Sequence, residues 1–400
     1  MNHGLRTASR LNGISVSSIL ALSERARLLR LSGVDVIDLT VGEPDQQTPE
    51  PIKAAATLAM AQGRTKYTPL AGTPELLKAI AERYATVLGI PVAPNQVISG
   101  TGAKQVIFNA LLATLDPGEE VIVPAPYWTS YLDMIRVTGG VPRVVSGAWN
   151  PERGWRLDTA AMQEALHERT RWIILNSPSN PTGSMATVEE LAKLADLLKK
   201  WPNTWVLLDE IYADIVFGSE RAPNLVQLFP ELAARTLVVG GVSKSHAMTG
   251  WRLGWGVGPV ELIKAMATVQ SQNSSAPSSI SQAAAVAALN LGPEPVQEMV
   301  EEYRARRDIV VRGLNAIPGC NCPVPEGAFY AFADFRGLIG GKVANDVELC
   351  EKFLNDAGVA VVPGSAFGAP GFVRLSFATS QAKLHEALQR MREAARKIQA

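Results

Sequence analysis

The chain has 400 residues with 38 basic and 38 acidic side chains, hence no formal net charge. Without an extended basic block it is a poor candidate for binding nucleic acid or an anionic membrane, and a small-molecule substrate fits better. Its length exceeds what one core usually serves, which predicts a large unit over residues 46–295 and a smaller one assembled from 1–45 and 296–400. Cys320, Cys322 and Cys350 make an odd set without paired spacing. They support neither a disulfide framework nor a zinc site, and a cytoplasmic location is expected. The apolar run from Ile19 to Leu22 is too short and too interrupted for a signal peptide or a membrane span.

From about residue 95 to 260, short β-branched runs alternate with helical patterns, as a mainly parallel sheet covered by helices requires. The runs are Val97-Ile98, Val121 to Val123, Val141 to Val145, Trp172 to Leu175, Trp205 to Leu208 and Leu237 to Val239. Between them, Leu191, Leu194, Ala195 and Leu198 recur at helical spacing within Glu189 to Lys200. A long charged helix is expected over Val296 to Leu314. A second α/β pattern follows, with strands at Ala328 to Phe332, Val359 to Val362 and Phe372 to Phe377 and helices near Asp346 to Ala357 and Gln381 to Ile398.

Sheets of this kind place ligands at the C-terminal ends of their strands. Four motifs fall at such ends: Gly100-Thr101-Gly102-Ala103-Lys104, Asn176 to Gly183, Asp209-Glu210-Ile211-Tyr212, and Ser243-Lys244 with Arg252 eight residues on. Lys244 is flanked by Ser, Ala and Thr rather than by the charged neighbours of a solvated face. A lysine ε-amine does chemistry mainly by forming Schiff bases with carbonyls, which requires a lowered pKa. Gly102 and Ala103 open a helix whose N–H groups suit a phosphate. Asp209, ending a buried run, is a carboxylate fit to hold a pyridinium nitrogen. Trp128, at the end of another strand, offers an aromatic face.

With these residues in order, the chain resembles a class I aminotransferase of the pyridoxal-phosphate fold type I superfamily and is similar to its bacterial aspartate aminotransferase subgroup. The resemblance runs from Gly42-Glu43-Pro44-Asp45 through Lys66-Tyr67-Thr68-Pro69 to Val373-Arg374-Leu375-Ser376. It implies an α/β fold with a mainly parallel seven-stranded sheet, pyridoxal 5'-phosphate as cofactor, no metal, and a homodimer with shared active sites. It further implies that Lys244, Asp209 and Tyr212 are catalytic. Gly102, Ala103, Lys104, Ser243 and Arg252 hold the cofactor phosphate, and Tyr67 reaches the phosphate of the other subunit. Trp128 stacks on the ring, while Asn180 and Tyr212 bind its phenolic oxygen. Arg374 takes the substrate α-carboxylate, and Gly42, Lys104, Trp128 and Asn180 border the substrate.

The amino-acid preference rests on one absence and one match. Animal-type aspartate aminotransferases bind the distal carboxylate with an arginine located just before the segment matching Ser275-Ala276-Pro277, yet no lysine or arginine lies between Lys264 and Arg304. In the bacterial subgroup a phosphate-loop lysine takes over, and Lys104 matches it, which makes aspartate and glutamate the leading substrates. Prephenate is the alternative. The arginine associated with it belongs to the N-terminal arm, where this chain has Arg10, but the Ser9 to Ser18 segment departs from the expected pattern and Gly13 occupies the arginine's place. A β-lyase or kynurenine-type activity is favoured if Lys104 points away from the substrate and apolar side chains line the distal pocket. A non-catalytic transaminase-like regulator would need a DNA-binding domain, and a nucleotide-binding protein would need a G-x-G-x-x-G or P-loop ending that the Gly100 loop lacks. His246 has no assigned role.

Overall fold

The computed structural model describes residues 6–14, 18–218 and 221–400. Part of the Ser9 to Ser18 arm, and the beginning of the chain, therefore lie outside the described residues, as do the side chains of residues 18–20. The strands in chain order are β1 (Ile37–Asp38), β2 (Val97–Gly100), β3 (Glu120–Ala125), β4 (Val141–Ser146), β5 (Ala148–Asn150), β6 (Gly154–Arg156), β7 (Thr170–Asn176), β8 (Trp205–Asp209), β9 (Thr236–Gly240), β10 (Gly254–Val257), β11 (Tyr330–Asp334), β12 (Val359–Ala360), β13 (Val362–Pro363) and β14 (Phe372–Ser376).

Seven of these strands form one sheet in the order β2-β10-β9-β8-β7-β3-β4. Among them β10 runs antiparallel to both neighbours and the other pairings are parallel. The fold is α/β with a mainly parallel seven-stranded sheet, as expected. Its central strands are apolar on both faces because helices cover both. Along β8, Val206 and Leu208 enter one core and Leu207 the other; along β7, Ile173 and Leu175 part from Trp172 and Ile174 in the same way.

A three-stranded sheet of order β11-β14-β13 packs with the helices Glu294–Asn315 and Gln381–Gln399 in another core, which also takes in Tyr212 and Ile215 from the turn after β8. That shared core brings Arg374 of β14 to the mouth of the large sheet. Helix ends follow local chemistry. Thr187 and Glu190 form a reciprocal capping box at the start of Val188–Lys199, and Asn345 caps Asp346–Ala357. Among the described residues no helix is long and apolar enough to cross a membrane.

Three expectations need correction. The strand placed at Ala328 to Phe332 begins two residues later, because Ala328 has a left-handed φ of 57° that turns the chain before β11. The run Val359 to Val362 is two short strands, since β12 pairs with β1 while β13 pairs with β14. Strand β10 was missed because two of its four residues are glycines, which weaken the strand signal. Both glycines answer to the helix Ala103–Thr114 packed on that strand. A Cβ on Gly256 would lie 2.9 Å from a Val106 methyl, and one on Gly254 only 2.3 Å from the Ala103 nitrogen.

Because that last clash is with backbone, Gly254→Ala must push the helix N-terminus off the sheet. The expected cost is about 1–3 kcal/mol, read as a lower midpoint in chemical denaturation of the purified variant.

Candidate active site

The motifs meet because parallel strands end on the same edge, and β10, entering in reverse, begins there with Gly254 opposite Gly100. Gly42, Gly102, Ala103, Lys104, Trp128, Asn180, Asp209, Tyr212, Ser243, Lys244, Arg252 and Arg374 all line one cavity of about 330 Å³. Tyr67 is not among its lining residues; it is 98% exposed on the single chain. Arg10 is exposed and also lies outside the lining. His246 is buried away from the cavity with its Nδ1 2.8 Å from Ser245 Oγ, and burial takes its imidazole down to about 4.

Asp209 closes β8 in register with Asn176, the last residue of β7. Asn176 Nδ2 donates to the Asp209 carbonyl at 2.9 Å, and its Oδ1 accepts the Asn180 N–H at 2.7 Å, so one side chain ties two strand-end motifs together. Asp209 is 4% exposed. Its Oδ2 accepts the Tyr131 hydroxyl at 2.6 Å, and its Oδ1 accepts a longer bond from the Ile211 N–H at 3.3 Å. Burial raises this carboxyl from 3.8 to about 6, with the Tyr131 bond opposing.

Lys244 follows β9, and its Nζ donates to the Gly42 carbonyl at 2.7 Å. Burial lowers its ammonium from 10.5 to about 8; the charge of Glu43 resists the shift and that of Arg252 adds to it. The field expected from Arg252 is thus present but secondary to desolvation. Arg374, 1% exposed on β14, donates to Asn180 Oδ1 at 2.9 Å and to the Thr40 carbonyl. Its guanidinium lies 4.7 Å from the ring centre of Tyr330 and 5.0 Å from that of Phe367. No carboxylate pairs with it among the described residues. Burial pulls its pKa down.

At the other side of the cavity the helix Ala103–Thr114 begins at Gly102, whose φ of 86° favours glycine. The first turn has no side-chain cap and no acidic residue. Instead it faces cations. Arg252 Nη1 donates to the Thr249 carbonyl at 2.9 Å, and Lys104 Nζ lies 4.7 Å from the centre of the Trp128 ring. Burial, then the charge of Arg252, lowers the Lys104 pKa. A Cβ on Gly102 would come 2.7 Å from Arg252 Nη2, so only a bare backbone leaves that guanidinium its place. Helix N–H groups and guanidinium together form an anion cradle sized by a glycine.

This donor set fits a phosphorylated pyridine aldehyde. The uncapped helix start, Ser243 and Arg252 suit its phosphate, the buried carboxylate suits its ring nitrogen, and the desolvated amine suits its aldehyde. Among the lining residues to which the sequence assigned no role are Tyr131, Asn176 and Tyr330. Tyr330 meets Tyr212 hydroxyl to hydroxyl at 2.8 Å. Each stands in an apolar or motif context that reads as packing or as a turn. The spacing of Tyr131 three residues after Trp128, across the start of the helix Ser130–Val137, was the available signal.

Fold and site together define a fold type I pyridoxal-phosphate enzyme. Residues 34–391 match the family described as aminotransferase class I and II. The chain is 49% identical over 394 residues to an aspartate aminotransferase of Rhizobium meliloti, covering 97% of this chain and 96% of the relative. It is 46% identical over 384 residues to an aspartate/prephenate aminotransferase of Cereibacter sphaeroides, covering 94% and 96% respectively. The crystal structure of the aspartate aminotransferase from Rhizobium meliloti superposes with a TM-score of 0.94 at 48% identity, covering 98% of this chain and 99% of that one. The chain therefore belongs to the class I and II aminotransferase family and is a pyridoxal-phosphate-dependent transaminase.

The depressed Lys244 pKa carries a stability consequence for the cofactor-free protein. Its folded value lies below the unfolded one, so the penalty for burying the ammonium is complete below about pH 8 and is lost as pH rises from 8 toward 10.5. Lys244→Met should therefore stabilise the cofactor-free chain at pH 7 by on the order of 2 kcal/mol, with a smaller gain at pH 9, as measured by urea denaturation at the two pH values.

Proposed function

We propose that this chain transfers the amino group of aspartate to 2-oxoglutarate by a ping-pong mechanism in which Lys244 holds and then releases the cofactor. The observation that carries this reading is Arg374, a buried guanidinium without a carboxylate partner among the described residues, in the same cavity as a second cation, Lys104. Two cations in one pocket suit a substrate with two carboxylates. The printed activity of the Rhizobium meliloti relative supports it.

Bound pyridoxal phosphate supplies an aldehyde that captures amines and a ring that accepts the electron pair released at the substrate α-carbon. The chain does the rest. Arg374 fixes the α-carboxylate, and Lys104, beside Trp128, takes the distal one. Asp209 would hold the ring nitrogen protonated, Asn180 and Tyr212 would bind the phenolic oxygen, and Trp128 would offer its face to the ring. Gly102, Ala103, Ser243 and Arg252 hold the phosphate, with Tyr67 contributed to the other subunit of a homodimer; its near-complete exposure on one chain supports this. Once displaced, Lys244 is a neutral amine in an appreciable fraction near pH 8, and it carries the proton away from the substrate α-carbon. Gly42 closes the substrate side.

The same reading divides the chain into a large unit of residues 46–295 and a small one of 1–45 with 296–400, supported by their separate sheets and by the pairing of β1 with β12. It places the enzyme in the cytoplasm. Prephenate is the second reading, supported by the printed name of the Cereibacter sphaeroides relative. A kynurenine-type or β-lyase activity is less well supported, because Lys104 lines the cavity.

Adding L-aspartate without a keto acid should bleach the visible band of the cofactor-loaded protein, and Lys244→Ala should abolish turnover. A band indifferent to aspartate but sensitive to aromatic amino acids would overturn the substrate assignment. Lys104→Met should lower kcat/KM for aspartate by about 10²-fold or more while leaving alanine turnover within a few-fold; equal losses for both would place Lys104 at the phosphate alone.

A further inference from the structure

Asp209 must do something a buried carboxylate resists, namely remain ionised while holding a proton on a neighbouring nitrogen. Burial alone drives it toward the neutral acid. The ionisable groups around it are Glu210 on its own segment, Tyr131 from the helix Ser130–Val137, Tyr212 from the following turn and Lys244 from the turn after β9. Glu210 opposes ionisation, and Lys244 favours it only weakly and only while charged.

Tyr131 is different in kind. It is 1% exposed, and its hydroxyl donates to Asp209 Oδ2 at 2.6 Å, while Oδ1 receives only the 3.3 Å bond from Ile211. Burial, followed by the charge of Asp209, holds the phenol well above its ordinary pKa, so it is a donor at any working pH. Its placement is fixed from the side that faces Trp128. The Tyr131 N–H donates to the Trp128 carbonyl at 3.0 Å, and the two rings meet edge to face at 5.3 Å between centres.

We propose that Tyr131 is a positioning residue for the transamination: its hydroxyl keeps Asp209 anionic and occupies Oδ2, leaving Oδ1 to accept the proton-bearing nitrogen of the cofactor ring. This rests on the reading of Asp209 as the nitrogen's partner. One helical start then sets both the aromatic wall of the cavity and the charge state of the carboxylate. Removing the hydroxyl makes Asp209 more basic, so the shared proton moves from the ring nitrogen toward the carboxylate.

The test uses Tyr131→Phe, with 3-fluorotyrosine at the same position as a graded second variant whose phenol is a stronger donor. In the cofactor-free protein, ¹³C NMR of labelled aspartate should show the Asp209 titration rising by about one unit or more in Tyr131→Phe and falling below the wild-type value in the fluorotyrosine protein. In the loaded protein, ¹⁵N NMR of ring-labelled pyridoxal phosphate should move toward the unprotonated position in Tyr131→Phe. An Asp209 titration unchanged in both variants would overturn the proposal. Asp209→Asn separates the two readings. If it displaces the ring-nitrogen resonance while Tyr131→Phe does not, the role of Tyr131 falls and that of Asp209 stands; if it leaves the resonance in place, both fall.

Discussion

The cavity is lined by more positive than negative side chains. Lys104, Lys244, Arg252 and Arg374 line it, and Asp209 is the one carboxylate among the described lining residues. A helix N-terminus adds its partial positive charge at Gly102. Arg374 is buried and Lys244 half-buried, whereas Lys104 and Arg252 are exposed, so the desolvation cost that an anion relieves falls mainly on the first two. Much of the site follows from that imbalance. The bare backbone at Gly102 leaves room for Arg252, the first helical turn lacks an acid, and Arg374 leans on two aromatic rings and on neutral oxygens from Asn180 and Thr40. Selectivity for phosphate and carboxylate is thus a matter of unpaid charge as much as of shape.

The same low-dielectric setting separates the protonation of the two central groups. Desolvation moves the Lys244 amine down to about 8 and the Asp209 carboxyl up to about 6, which brings both toward neutrality. For the lysine that is useful, since only a free amine attacks a carbonyl or removes a proton. For the aspartate it is adverse, which is why its hydrogen-bond partners matter more than its position alone.

The sequence disclosed the strand-end motifs because glycine, proline, asparagine and charged residues interrupt apolar runs there, and each interruption has a chemical reading. Lys244 and Asp209 were visible for that reason, whereas Arg374, inside β14, was reached through the family resemblance. Tyr131 and Tyr330 were not, because a tyrosine amid apolar neighbours looks like core until its hydroxyl is seen to have a partner. The Asn176–Asp209 alignment was hidden as well, since it depends on the register between β7 and β8 and not on either segment. Strand β10 disappeared into its own glycines, whose reason is the helix lying on top of them.

The alternation along the central strands has an evolutionary corollary. Each apolar residue of β7 and β8 packs into one of two cores by its parity, and Asn176 and Asp209 end those strands on the edge that bears the site. Inserting a single residue within either strand would exchange the contents of the two cores and rotate the terminal polar side chain away from its neighbours. Changes of chain length can accumulate only in the connections, so the distances between these motifs along the chain are free to drift while their parity within each strand is not.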